Sequence, residues 1–118
     1  LRFPVWSRNR DDYDLLLYVA NWPQARHSAW TTLLPARAVE NLCYVAGVNR
    51  AGTDGNGVAS AGGSMIVDYL GGQIAAGGKQ PATITATLSL ADLQRYRTKF
   101  PANQDADAFT LHTDSPVR

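Results

Sequence analysis

The sequence predicts an α/β fold with a mixed sheet. Two short apolar runs, Leu15–Ala20 and residues 42–48, flank a helix-length segment. Within that segment Trp30, Leu33, Leu34, Ala38 and Leu42 recur at steps of three and four, as one apolar helix face requires. Strand, helix and strand in that order are the ordinary sign of a layered α/β domain. Further on, residues 82–88 alternate Thr83, Thr85 and Thr87 with Ile84, Ala86 and Leu88, the period of two of a half-buried strand.

The elements follow in order. Pro4 opens a short helix within residues 1–9, because a proline is tolerated in a first turn. Leu15–Ala20 is the first strand, and Asn21-Trp22-Pro23 closes it, since proline biases its predecessor away from the helical region. The main helix spans residues 25–41 and contains Pro35; a proline there removes a backbone hydrogen bond, so a kink or tightened turn is expected at residues 31–35. Arg37 and Glu40, three apart, share a helix face and can pair. The second apolar run begins almost without a linker. Both runs carry so few charges that they suit strands covered on both faces.

Residues 51–57, AGTDGNG, hold two tight-turn dipeptides, Asp54-Gly55 and Asn56-Gly57. A Walker loop would end in Gly-Lys-Ser/Thr, and a dinucleotide fingerprint would open a helix; neither is present. Residues 64–69 read as a strand, Gly71-Gly72 as a turn and Gln73–Ala76 as the returning strand. Ser89 caps a helix that runs to Lys99 and stops before Pro101, with Asp92 in the capping-box position. From Ala102 to Arg118 the tail is polar, with Phe109 and Leu111 as docking points.

Composition narrows the function classes. The 118 residues are 45% hydrophobic and 18% charged with a net charge of +1, which gives no electrostatic footprint for nucleic acid or a membrane surface. No apolar run approaches the roughly 18 residues of a spanning helix. The single cysteine, Cys43, excludes an internal disulfide and fits a reducing compartment; a cytoplasmic location is expected. The chain opens in apolar sequence, Leu1-Arg2-Phe3-Pro4-Val5-Trp6, without Met, where termini are usually polar. A preceding segment, removed or carried by another chain, is the expectation.

Spacing alone assembles no catalytic set. Cys43 lies inside an apolar run and reads as core, because a reactive thiol needs an exposed electropositive setting. His27 and His112 lack partners at metal-ligand intervals and read as solvated, as do Asp105 and Asp107 in the tail. Arg2 is different: a cation between Leu1 and Phe3 must meet a carboxylate. Its residue type leaves a structural ion pair and a ligand anchor both open.

Four blocks in order, LRFPVWSRN at residues 1–9, DYDLLLYVANWP at 12–23, ARAVENLCYVAGVNRAGTDGNG at 36–57 and FPANQDADAF at 100–109, resemble the nitrilase superfamily of carbon–nitrogen hydrolases, closest to its omega-amidase branch. The resemblance covers essentially the whole chain. It implies that residues 1–118 are the C-terminal half of a four-layer αββα sandwich with the N-terminal half absent. It also implies a Glu–Lys–Cys triad, with the cysteine in Cys-Tyr-Asp-Leu-Arg-Phe-Pro three residues upstream of Leu1. By that reading no catalytic residue lies in this chain, and the isolated fragment is inactive.

The same resemblance makes Arg2 the anchor for the carboxylate of an α-keto acid amide such as 2-oxoglutaramate. It places Asn21, Trp22 and Pro23 in the loop bordering the acyl pocket, and makes Arg37, Glu40 and Asn41 structural. It implies no metal and no organic cofactor, a homodimer, and hydrolysis to keto acid and ammonia through a thioester. Three positions depart from the family pattern: Pro35 before Ala-Arg-Ala, Gly63 where relatives commonly carry an acid, and Ala29 where many have histidine. The competing readings are a non-catalytic structural or assembly piece and a nitrilase-type amidase with another substrate.

Overall fold

A computed structural model describes residues 1–113; the end of the expected polar tail lies outside them. A 3-10 turn at Pro4–Ser7 leads to β1 (Leu15–Ala20), a second 3-10 turn (Gln24–Arg26) and α1 (His27–Asn41). Then come β2 (Tyr44–Asn49), β3 (Ala51–Thr53), β4 (Ala59–Ala61), β5 (Met65–Val67), β6 (Gln73–Ala76), α2 (Leu90–Lys99) and a 3-10 turn at Ala102–Asp105. One four-stranded sheet has the order β1-β2-β5-β6, and β3 and β4 form a separate hairpin. β1 and β2 run parallel, from Leu15 opposite Tyr44 to Ala20 opposite Asn49. β2–β5 and β5–β6 are antiparallel, so the sheet is mixed, as the apolar runs and turns predict.

α1 is unbroken through Pro35, so the expected disturbance at residues 31–35 does not interrupt it. Its buried face is Trp30, Leu34, Arg37, Ala38 and Asn41, the stripe read from the spacing. The helix stops at Leu42, which takes a left-handed conformation at φ 47°. There the Leu42 N–H reaches the Val39 carbonyl at 3.5 Å and the Cys43 N–H reaches Ala38 at 3.2 Å, the paired bonds of a Schellman motif. Glycine usually holds such a place; here the burial of Leu42 offsets the steric cost. The turn leaves only Leu42 and Cys43 between helix and strand.

Trp30, Leu34, Ala38, Cys43, Val45, Met65 and Val67 form the core between α1 and the sheet. Gly47 in β2 lets the helix approach: a Cβ there would sit 2.5 Å from Leu34 Cδ1 and 2.9 Å from Trp30. Arg37 is buried and anchored, pairing with Glu40 at 3.0 Å as predicted and donating from Nε and Nη2 to the Leu1 carbonyl.

Three expectations need correction. β1 is covered on one face only: Leu16, Tyr18 and Ala20 pack toward the core, while Leu17 and Val19 are 61% and 84% exposed. Apolar composition said that the strand could be covered twice, but this chain places α1 on one side of the sheet. Residues 82–88 form no strand: the alternation survives as half-burial of Ile84, Ala86 and Leu88, but no ladder partner lies alongside among the described residues, and a strand exists only by pairing. His27 is half-buried, not solvated, with its ring against Gly63, where a Cβ would fall 2.6 Å from Cε1. That packing accounts for glycine at 63: any side chain there meets the imidazole, and φ is +73°.

The C-terminal elements attach as their caps dictate. The Ser89 hydroxyl accepts from the Asp92 N–H at 3.1 Å. Arg97 ties α2 to Asp14, Tyr13 and Leu42, and Asn103 binds the Arg10 carbonyl and Asp11. The Arg8 guanidinium lies 4.5 Å from the Phe109 ring, and Phe109 and Leu111, expected as docking points, are both about half exposed. Replacing Ser89 by alanine removes the cap and is expected to cost about 1 kcal/mol, read as a lower urea midpoint.

Candidate functional site

The site begins at the carboxyl end of β1, where open α/β sheets usually receive ligands. Pro23 breaks the strand and the chain turns into α1, so the loop carries Trp22 over the opening segment. There Leu1, Arg2, Phe3, Trp22, Pro23 and Arg26 line a shallow cavity of about 290 Å³. The Arg2 guanidinium lies 5.2 Å from the Trp22 ring centroid, within cation–π range. The predicted residues Arg2, Trp22 and Pro23 therefore come together. Asn21 does not join them; it is exposed and outside the lining.

Among the described residues the ion pairs are Arg37–Glu40, Arg95–Asp92 and Arg97–Asp14. Neither Arg2 nor Arg26 takes part in one. Among the described residues, then, no carboxylate pairs with Arg2. Two arginines line one cavity whose lining includes no acidic residue, a composition that suits an anion, and a guanidinium fork matches a carboxylate. Arg26 was missed in the sequence; its signal was a second cation three residues beyond the Trp-Pro pair.

A larger cavity, about 610 Å³, lies between the first 3-10 turn, the end of α1 and the tail. Its lining mixes Arg8 with Glu40, Asp105 and Asp107, so it has no comparable preference for anions. No group of three or more metal-ligating side chains occurs among the described residues, and no helix there is long and apolar enough to cross a membrane.

Cys43 is fully buried, and burial pushes its thiol up to about 12, with nearby Arg97 opposing that rise only in part. With its thiol raised from 9.0 and closed off from solvent, Cys43 should react at pH 8 at least about a hundredfold more slowly in the folded chain than in urea, because the accessible thiolate is the nucleophile. A thiol-disulfide reagent followed by absorbance checks this. The sign for stability follows from the same shift. Since only the unfolded thiol ionises at first, folding loses stability as pH climbs from about 9 toward 12.

A parallel βαβ unit continued by antiparallel strands, with a cavity at the β1 end that Arg2 and Arg26 help to line, defines a layered α/β protein. Residues 2–98 match the carbon–nitrogen hydrolase family, and the chain belongs to that family. It is 59% identical over 112 residues to the omega-amidase YafV of Yersinia enterocolitica, covering 94% of this chain and 44% of that protein. With the 2-oxoglutaramate amidase of Bacillus subtilis it shares 35% identity over 89% of this chain and 41% of that protein. In structure it superposes on a carbon–nitrogen hydrolase superfamily protein of Xanthomonas campestris that carries an arsenic adduct in its active site. There the TM-score is 0.91 at 50% identity, over 94% of this chain and 45% of that one. The chain thus spans somewhat less than half the length of these relatives.

Proposed function

We propose that residues 1–118 are the C-terminal part of an omega-amidase-like carbon–nitrogen hydrolase, acting on the terminal amide of an α-keto acid amide of the 2-oxoglutaramate type. The observation that carries this is that Arg2 and Arg26 both line one cavity with no acidic residue in its wall, with Arg2 lying on Trp22. That arrangement would grip the substrate carboxylate and leave the amide at the far end of the molecule for attack. The relatives named omega-amidase and 2-oxoglutaramate amidase support the same substrate class.

In this reading the triad lies in the part of the protein preceding Leu1. A cysteine sulfur adds to the amide carbonyl carbon, a glutamate takes the thiol proton, and a lysine stabilises the oxyanion. The carbon–nitrogen bond then breaks, ammonia leaves with that proton, and water attacks the thioester to release the keto acid. This chain contributes the carboxylate grip and the loop beside it. The complete protein is read as a cytoplasmic homodimer that needs no metal or organic cofactor.

The test is ammonia release. The complete protein should turn over 2-oxoglutaramate, and the isolated 118-residue chain should not. Turnover by the chain alone, or a complete protein inert toward every keto acid amide, would overturn the reading. One observation favours an assembly role for the isolated chain: Leu17 and Val19 stand exposed on the open sheet face, and an apolar patch left uncovered promotes association. On the hydrolase reading a preceding half would cover that face, so the two readings differ in whether the isolated chain self-associates on sedimentation while the complete protein does not go beyond a dimer.

A further inference from the structure

The cation at position 2 is exposed, yet it is held in one place. It rests on the half-buried Trp22, and the groups that fix its backbone and that of Trp22, Arg37 and Asn49, are buried. From the backbone side, Arg37 donates two hydrogen bonds, of 3.0 and 2.6 Å, to the carbonyl of Leu1, the peptide that enters Arg2. From the side-chain side, Arg2 lies on Trp22, and Trp22 is itself clamped. Its N–H donates to Asn49 Oδ1 at 2.7 Å, and Asn49 Nδ2 donates back to the Trp22 carbonyl at 3.3 Å and to Gly62 at 2.8 Å. The Trp22 indole N–H closes the loop on the Arg26 carbonyl at 2.6 Å. Asn49 is the last residue of β2, paired with Ala20 across the parallel ladder, and its own N–H is held by Ser64 at 2.9 Å.

We infer that Asn49 is a positioning residue for substrate selection: by clamping the backbone of Trp22 it fixes the aromatic face on which the Arg2 guanidinium rests. A buried amide that satisfies both the N–H and the C=O of one loop residue leaves that residue little freedom to move. An aromatic platform lowers the number of places a long cationic side chain can occupy, and so the ordering cost when a carboxylate binds. The inference rests on the proposed anchor role of Arg2, and its experiment separates the two.

The readout is the ratio of kcat/KM for an acidic keto acid amide to that for a neutral aliphatic amide, measured on the complete protein. Asn49→Ala and Trp22→Leu should each lower this ratio about two- to fivefold, in keeping with the loss of one solvent-exposed cation–π contact, while Trp22→Phe, which keeps a ring face, should restore most of it. In the Arg2→Ala background neither substitution should change the ratio further, because both act through Arg2. A purely structural role would depress both substrates alike and leave the ratio where it was; that result overturns the inference. So does a drop that persists without Arg2. If Asn49→Ala does not fold, the two Trp22 variants decide on their own, since Trp22 is only partly buried. Should Arg2→Ala itself leave the ratio unchanged, the anchor reading fails, and the positioning role with it. That result differs from failure of the relay alone, in which Arg2 matters and Trp22 and Asn49 do not.

Discussion

On the proposed omega-amidase reading, replacing Arg2 by alanine in the complete protein is expected to lower kcat/KM for 2-oxoglutaramate by about a hundredfold and to leave a neutral amide within a few-fold of wild type. The size follows from what is lost. A hydrogen bond to a charged group contributes about 1.5–3 kcal/mol, and every 1.4 kcal/mol or so is tenfold in affinity. A guanidinium fork closing on a carboxylate makes two such bonds, partly screened here because Arg2 is solvent-exposed. Most of the loss should fall on KM, as for a contact made equally in ground and transition states. Arg2→Lys restores the charge without the fork and should recover the deficit only in part. Arg26→Ala should show the same substrate dependence with a smaller amplitude, since among the described residues only Arg2 and Arg8 rest on an aromatic ring. Equal losses on acidic and neutral amides after Arg2→Ala would mean that the cavity does not read charge.

Much of this arrangement was legible before any coordinates. The helix face of Trp30, Leu34 and Ala38, the two apolar runs and the Ser89 cap are local patterns, and local patterns are what periodicity and capping rules report. Arg2 stood out because a cation in apolar sequence needs an explanation. What the sequence could not show was pairing. Residues 82–88 have the alternation of a strand, but whether a ladder forms depends on a neighbour that lies far away in sequence or beyond this chain. The same holds for β1, whose composition is equally compatible with one covered face or two. Asn49 was invisible for another reason: an asparagine at a strand end is unremarkable until its two hydrogen bonds to Trp22 are seen. His27 misled because a lone histidine in a first helical turn is ordinarily solvated, and only its contact with Gly63 brings it inside.

Trp30→Ala is expected to cost about 3–5 kcal/mol of stability, the range for removing a large buried aromatic, read as a lower midpoint in urea with an unchanged slope. Trp30 is fully buried, and its indole N–H donates to the Gly63 carbonyl at 2.8 Å, so truncation leaves both a cavity and an orphaned acceptor. Its ring also lies 5.8 Å from that of Trp22, which makes the core continuous with the platform under Arg2. Loss of Trp30 should therefore lower the acidic-to-neutral substrate ratio as well as stability. Gly47→Ala probes the same contact from the opposite side. An added methyl group would meet Leu34 and Trp30 at 2.5–2.9 Å, and overpacking of this kind costs about 1–3 kcal/mol. Together the two substitutions distinguish a cavity from a clash at one interface between α1 and β2. If Trp30→Ala changed stability by less than about 1 kcal/mol, well below the range for a buried aromatic, the helix would not be seated on the sheet through this residue, and the link from core to anchor would fall.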